Sequence, residues 1–410
     1  MRLLFLSNLY PPFDLGGFEQ WCHEVTLHLR QRGHTVHVLT SRYGLDGAKP
    51  EEDAVTRSLY LQADLHYYRP GDFFLKRPFQ ERANVQELHR VLQQFEPDLV
   101  LVWGMWNLSR WLPYWAERWL PGRVAYYMAS YWPGDPDIHE EYWRLPAKRP
   151  VTNLLKRALS ALALAQLRAE GYPPPLRFEH VTCCSRYVRD TLVASGALPA
   201  SAGVLYGGID PEPFLRQPRQ ASSDGRLRLL YFGVLSPHKG VHTALEALGL
   251  LKERHLLERV KLTLIGSGHP DYEARLHRLV EELGLGEAVQ FVGRVPREQI
   301  PSWLGGFDVF LFTSVWPEPF GRVIIEAMAS GLVVVGADVG GSREIFRDYD
   351  SELLFQPGDA QGLAERIERV LADPSLMERL SEEGRRLVLE RFALERMVND
   401  FEAWLGGILT

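Results

Sequence analysis

Glycines, single cations and carboxylates recur in this chain just where apolar segments end. The segment Gly233-Val234-Leu235-Ser236-Pro237-His238-Lys239-Gly240 joins an apolar run to a helical pattern. It places Lys239 at a helix N-terminus, where a cation opposes the helix dipole unless an anion lies between them. A diphosphate would resolve that conflict; otherwise Lys239 is a solvated surface cation. The Walker order Gly-x4-Gly-Lys-Ser/Thr is absent. Further on, Ser314-Val315-Trp316-Pro317-Glu318-Pro319-Phe320-Gly321-Arg322-Val323-Ile324-Ile325-Glu326 brings two carboxylates to one helix start. Pro317 and Pro319 hold Glu318 extended, and Gly321 lets the chain turn into the helix that carries Glu326. Carboxylates in that position suit recognition of sugar hydroxyls, since each oxygen accepts hydrogen bonds. The alternative for Glu326, amid Ile324, Ile325, Ala327 and Met328, is a buried group satisfied by protein partners.

Glycine turns mark the same position elsewhere: Gly16-Gly17-Phe18-Glu19, Gly266-Ser267-Gly268, Gly293-Arg294-Val295 and Gly340-Gly341-Ser342-Arg343-Glu344. Such turns let backbone N–H groups approach an anion. Their repetition in the C-terminal half suggests a nucleotide-like ligand along one edge of a sheet.

The elements that must position these loops alternate strand and helix. Residues 2–7 read as a buried strand, about 17–32 as a helix ending at Gly33, and 35–40 as a second strand: a βαβ unit that requires a parallel sheet. Strands are also expected at 98–103, 123–128 and 180–184. After a polar linker at 216–225 the pattern restarts, with strands at 227–233, 260–266, 288–292, 308–313 and 332–336 between helices. The reading is α/β, with two Rossmann-like doubly wound domains facing across a cleft, and ligands beyond the carboxyl ends of the strands. The last helix, about 394–409, keeps an apolar face (Met397, Phe401, Trp404, Leu405) that is expected to cross back onto the N-terminal domain.

Composition agrees. At ~100–200 residues per domain, 410 residues suit two or three domains, and 46% apolar against 24% charged is ordinary for a globular chain. The net charge of −6 argues against a nucleic-acid binder. Three cysteines, two of them adjacent (Cys183, Cys184), imply no disulfide framework and fit a reducing cytoplasm. The apolar start is too short for a signal peptide, and no apolar run approaches the ~18 residues of a membrane span.

The order Gly-Gly-x-Glu, strand-Gly-x5-Lys-Gly, Phe-x-Gly-x-Val, Glu-Pro-Phe-Gly-x4-Glu and Gly-Gly-x-x-Glu resembles the family-4 retaining glycosyltransferases of the GT-B fold (glycosyl transferase group 1). The resemblance spans nearly the whole chain and is strongest from 227 to 360. It implies that residues 1–208 with 393–410 bind an acceptor and that 209–392 bind a nucleotide-diphosphate sugar, a co-substrate, with no cofactor and no metal. Lys239 and Glu318 would be catalytic: Lys239 on the donor diphosphate, Glu318 with the backbone around Phe320 and Gly321 on the donor sugar. Arg322 and Val323 would offer N–H groups to phosphate, Glu326 would grip the ribose, and Gly266 would line the donor. Gly293, Arg294 and Val295 would line the base pocket, while Gly16, Gly17 and Glu19 would close over phosphate and acceptor. The resemblance also implies a role in polysaccharide biosynthesis. Three positions depart from the pattern: Val234 stands where relatives usually carry Arg, Ala129 where many carry His, and Gly207 where Asn is familiar. The alternatives are a catalytically impaired sugar-nucleotide-binding paralogue and a sugar-nucleotide epimerase of the same fold.

The acceptor, a glycan, lipid or small molecule, would meet the aromatic-rich N-terminal half. Seven of the 11 tryptophans lie between 103 and 143. Trp111, Trp115 and Trp119 have helical spacing and read as core. Trp103, Trp106 and Trp132 follow strands and are the acceptor candidates. Asp135-Pro136-Asp137 has metal-motif spacing but reads as a turn. Between 144 and 177, seven Lys/Arg stand against one acid, Glu170. That segment reads first as a surface helix with a basic edge; the alternative is peripheral contact with the inner face of a membrane.

Overall fold

The computed structural model describes residues 1–13, 16–45, 53–65, 67–147, 150–217 and 224–410. Asp14 and Leu15 of the first glycine loop, Lys148 and Arg149 of the basic segment, and 218–223 of the linker lie outside the described residues. The first sheet comprises β1 (Arg2–Ser7), β2 (Thr35–Ser41), β3 (Val55–Leu59), β4 (Leu99–Gly104), β5 (Val124–Met128), β6 (His180–Cys183) and β7 (Gly203–Val204). Its order is β3-β2-β1-β4-β5-β6-β7, with parallel pairing throughout. The second comprises β8 (Leu227–Phe232), β9 (Val260–Ile265), β10 (Val289–Gly293), β11 (Val309–Phe312), β12 (Val333–Ala337) and β13 (Leu354–Phe355). It runs β10-β9-β8-β11-β12-β13, again parallel.

Both orders are doubly wound: the chain builds outward from its first strand, then returns past it to build the other side. Each sheet therefore has a switch point, at β1/β4 and at β8/β11, where loops part in opposite directions and leave a crevice. The strands β1, β4, β11 and β12 carry apolar runs without alternation because helices cover both faces. In the helix Val241–Glu253, Val241, Ala244, Leu245, Leu248 and Leu251 are all fully buried at three- and four-residue spacing.

The chain forms two compact units: Met1–Cys184, Val188–Leu205 and Val398–Thr410 in the first, Ser185–Tyr187 and Tyr206–Met397 in the second. The helix Leu394–Leu409 thus ends in the first unit, where Phe401 packs 5.4 Å from the Trp103 ring and 4.9 Å from Tyr127. Glu402 there receives Arg32 at 2.6 Å and His34 at 2.8 Å. Cys22, Cys183 and Cys184 are buried and are not joined by disulfides. Among the described residues no helix is long and apolar enough to cross a membrane.

Candidate active site

In the second unit, Lys239 follows β8 and Glu318 follows β11, so the two come from opposite sides of the switch point. Their side chains meet, Lys239 Nζ to Glu318 Oε1 at 2.6 Å, and Ser314 Oγ donates to the same oxygen at 2.8 Å. The loops are tied by backbone. His238 carbonyl accepts from Val315 and Trp316 N–H at 3.0 and 3.2 Å, and Thr313 Oγ1 donates to the Lys239 carbonyl at 2.8 Å. Gly240 makes this approach possible: its φ is +64°, and a Cβ there would collide with the Thr313 carbonyl oxygen. Gly340 does the same beside Glu318, with φ +54° and no room for a Cβ against the Glu318 backbone. Burial and the neighbouring Lys239 lower the pKa of His238, with Glu318 opposing.

The helix Arg322–Ala329 begins at Gly321, three residues after Glu318. Glu326 lies within it and is fully buried. Arg297 embraces its carboxylate with both terminal nitrogens, and Arg322 Nε donates at 2.8 Å. Burial raises the pKa of Glu326, but the two guanidinium groups outweigh it and hold the carboxyl below its ordinary value. Glu326 is thus presented to two arginines and not to solvent, the protein-satisfied alternative of the sequence reading. Arg297, 40% exposed, is the accessible member of the group.

Gly266 and Gly293 sit at adjacent strand ends, joined by a 2.8 Å hydrogen bond from Gly266 N–H to the Gly293 carbonyl. Arg294 is exposed and Val295 half-buried beside them. Phe320 is buried against Phe392, 5.6 Å between rings, so only its backbone is offered to a ligand. Arg322 and Val323 open the helix. Val234 is 53% exposed. Three further residues escaped the sequence reading as site members: Ser314, Arg297 and Glu344. Glu344 accepts from the N–H groups of Arg186 and Tyr187 at 3.2 and 2.8 Å and from the Tyr206 hydroxyl at 2.7 Å. Its place in Gly340-Gly341-Ser342-Arg343-Glu344 was the available signal; Arg297 carries none, because its partner is 29 residues away.

In the first unit, Gly16 is extended and Gly17 opens the helix Gly17–Gln31 at the β1/β4 switch point; Glu19 is buried in its first turn. Trp103 corrects the acceptor reading. It is fully buried, donates to the Phe18 carbonyl at 3.1 Å and stacks on Phe18, because β4 is covered on both faces. Trp132 is likewise buried, packed near Phe178 and under Arg110. Trp106 is 47% exposed and stays available. The helix Trp111–Trp119 buries Leu112, Pro113, Ala116 and Glu117; its three tryptophans are half-buried at the edge of that face, where Trp115 and Trp119 stack. Asp137 caps the helix Ile138–Arg144 by accepting from His139 and Glu140 N–H. A cavity of about 270 Å³ opens beyond the ends of β2 and β3, lined by Arg42, Tyr43, Tyr60, Asp64, Tyr67 and Tyr68 among others, with Arg42 4.4 Å above the Tyr60 ring.

Two doubly wound parallel sheets, each with glycine turns at its switch point, define the GT-B class of fold. Sequence comparison makes this specific. The model for glycosyl transferases group 1 matches residues 215–387, and that for glycosyltransferase family 4 matches 15–213. A glycogen synthase of Mycobacterium tuberculosis is 28% identical, covering 98% of this chain and 91% of its own. A D-inositol 3-phosphate glycosyltransferase of Frankia alni is 30% identical over 65% of this chain and 67% of its own. Among solved structures, Anabaena Alr3699/HepE in complex with UDP and glucose superposes with a TM-score of 0.68 at 22% identity, covering 99% of each chain. The chain belongs to the group 1 glycosyltransferases and is an enzyme of sugar transfer.

Proposed function

We propose that this glycosyltransferase moves a sugar from a nucleoside-diphosphate donor to a hydroxyl of a glycan, lipid or small-molecule acceptor, with retention at the anomeric carbon and without an essential metal. The observation that carries this reading is the Lys239–Glu318 pair at the β8/β11 switch point, 2.6 Å apart and three residues ahead of a helix N-terminus. Charge develops on the leaving phosphate oxygen as the sugar–phosphate bond breaks. Lys239 and the N–H groups of Arg322 and Val323 supply the opposite charge already oriented. Glu318, released from Lys239 by the diphosphate, accepts hydrogen bonds from donor-sugar hydroxyls. The acceptor attacks from the face that the diphosphate leaves, with the departing phosphate as base. Gly266, Gly293, Arg294 and Val295 flank the base; Glu326 reaches the ribose once Arg297 turns outward. Gly16, Gly17 and Glu19 serve the acceptor in the first unit. The Tyr-lined cavity beyond β2 and β3 favours a glycan acceptor, since aromatic faces stack on sugar rings, and this suits polysaccharide biosynthesis in the cytoplasm.

UDP is the first donor nucleotide to test, since the HepE structure holds it. The experiment is turnover of a panel of nucleotide sugars in the presence of a metal chelator, with the product anomer assigned by NMR. Release of nucleoside diphosphate with a retained anomer and undiminished rate is expected. An inverted anomer, or a rate abolished by the chelator, would overturn the mechanism.

A further inference from the structure

The helix Pro150–Ala169 is apolar on two opposite faces. Its inner face places Ala163 and Leu167 in a cluster with Phe73, Trp143 and Tyr172, flanked by Leu159 and Leu164. Its outer face carries Leu154, Leu155, Ala158, Ala161, Leu162 and Ala165, all exposed. The three leucines are 79%, 66% and 59% exposed. An apolar helix face is normally buried, and here only the inner one of the two is covered. Leu75 and Phe79, from the neighbouring helices Pro70–Leu75 and Arg77–Phe95, add two more large exposed apolar side chains, 82% and 68%. Single exposed leucines need no explanation, but a full helix face of them does.

Charge identifies what covers that face. Arg157 and Arg168 are exposed on its flank, while Lys156 turns to the inner side, 4.0 Å over the Tyr142 ring. The one acid of residues 144–177, Glu170, is neutralised by Arg77 at 2.6 Å. The whole chain is net negative at −6, so this local excess of positive charge runs against the rest of the molecule. We infer that the outer face of Pro150–Ala169 docks on an anionic lipid surface. The leucines enter the boundary between headgroups and acyl chains, and the basic side chains lie at the phosphate level. A helix of 20 residues spans ~30 Å, enough for a stable in-plane contact. This surface belongs to the first unit, and the inference does not depend on the sugar-transfer mechanism.

The test is co-sedimentation of the full chain with vesicles of phosphatidylcholine alone or mixed with phosphatidylglycerol. Light scattering without lipid and thermal melting accompany it. Binding to the phosphatidylglycerol vesicles is expected, weakening with salt. Arg157→Ser and Arg168→Ser should each lower partition about fivefold, and Leu154→Ser/Leu155→Ser/Leu162→Ser should lower it at least tenfold with the melting temperature unchanged. Absence of sedimentation, equal binding to both vesicles, or an unaffected triple variant would overturn the inference. So would a lipid-free dimer that the triple variant abolishes, since a second copy would then cover the face.

Discussion

Lys239 and Glu318 neutralise each other, so a donor that binds both must exchange partners with both. Exchange keeps each group oriented and leaves neither charge unpaired, which makes the pair a preset site and more than a surface bridge. Lys239→Ala should lower affinity for uridine diphosphate by about 2–5 kcal/mol, the range for truncating one partner of a buried, hydrogen-bonded charge pair. Val234, in the same loop, carries no charge that could compensate. Calorimetric titration decides this, and an unchanged affinity would remove Lys239 from the site. The two carboxylates should then separate. Glu318→Gln should reduce turnover much more than product binding, because the product lacks the sugar. Glu326→Gln should weaken uridine diphosphate, which keeps the ribose, and should also destabilise the fold, by up to the ~3–5 kcal/mol seen when one partner of a buried ion pair is removed, since Arg297 and Arg322 lose their counter-charge. Its pKa is depressed in the folded state. The stabilisation is therefore complete above the unfolded-state value of ~4.3 and is lost as pH falls through the lower folded value. Denaturant melts below pH 4 should show wild type losing stability faster than the variant; parallel loss would contradict this coupling.

Among the elements, Gly240 is the hinge on which the Lys239 loop meets the β11 loop. Gly240→Ala imposes a left-handed conformation costing ~1–2 kcal/mol on an L-residue and drives a methyl into the Thr313 carbonyl. A lower melting temperature together with weaker uridine diphosphate binding is expected. Weaker stability with intact binding would show that the loop contact does not position Lys239. The long elements around this hinge were legible in the sequence, since continuous apolar runs such as Leu229–Phe232 and Val333–Ala337 fit strands buried on both faces. Three strands were not. β7 and β13 are two residues each, and β3 reads Val-Thr-Arg-Ser-Leu at the sheet edge, where burial imposes no apolar run. The glycine turns revealed the donor loops because positive φ restricts residue type. Trp103 was misread because its position at the strand end did not reveal that neighbouring strands and Phe401 enclose it. Arg297 was missed because an ion pair across 29 residues leaves no local pattern.

At the scale of the whole molecule, the last helix completes the first unit with residues from the far end of the chain. Phe401 is fully buried and touches Trp103 and Tyr127, the aromatic residues near the carboxyl ends of β4 and β5. Those strands adjoin the β1/β4 switch point, so the helix supports the wall on which Gly16 and Gly17 stand. Removing the ring leaves a cavity among large aromatic neighbours that cannot collapse into it, and Phe401→Ala should cost about 3–5 kcal/mol. The loss should be local. Leu3–Leu6 and Leu99–Val102 should exchange their amide hydrogens faster, while Leu229–Phe232 and Leu262–Ile265 should keep their protection. Uridine diphosphate affinity should be unchanged, because Lys239, Glu318 and their loops belong to the second unit. Sugar transfer should fall if the first unit holds the acceptor, and the fall should be repaired by Phe401→Leu, which refills most of the cavity. Hydrogen exchange read by mass spectrometry, alongside a nucleotide titration on the same sample, separates the outcomes. Faster exchange in β8 and β9 with weakened nucleotide binding would mean that the helix stabilises the donor unit instead, and that acceptor and donor functions are not divided between the units in this way.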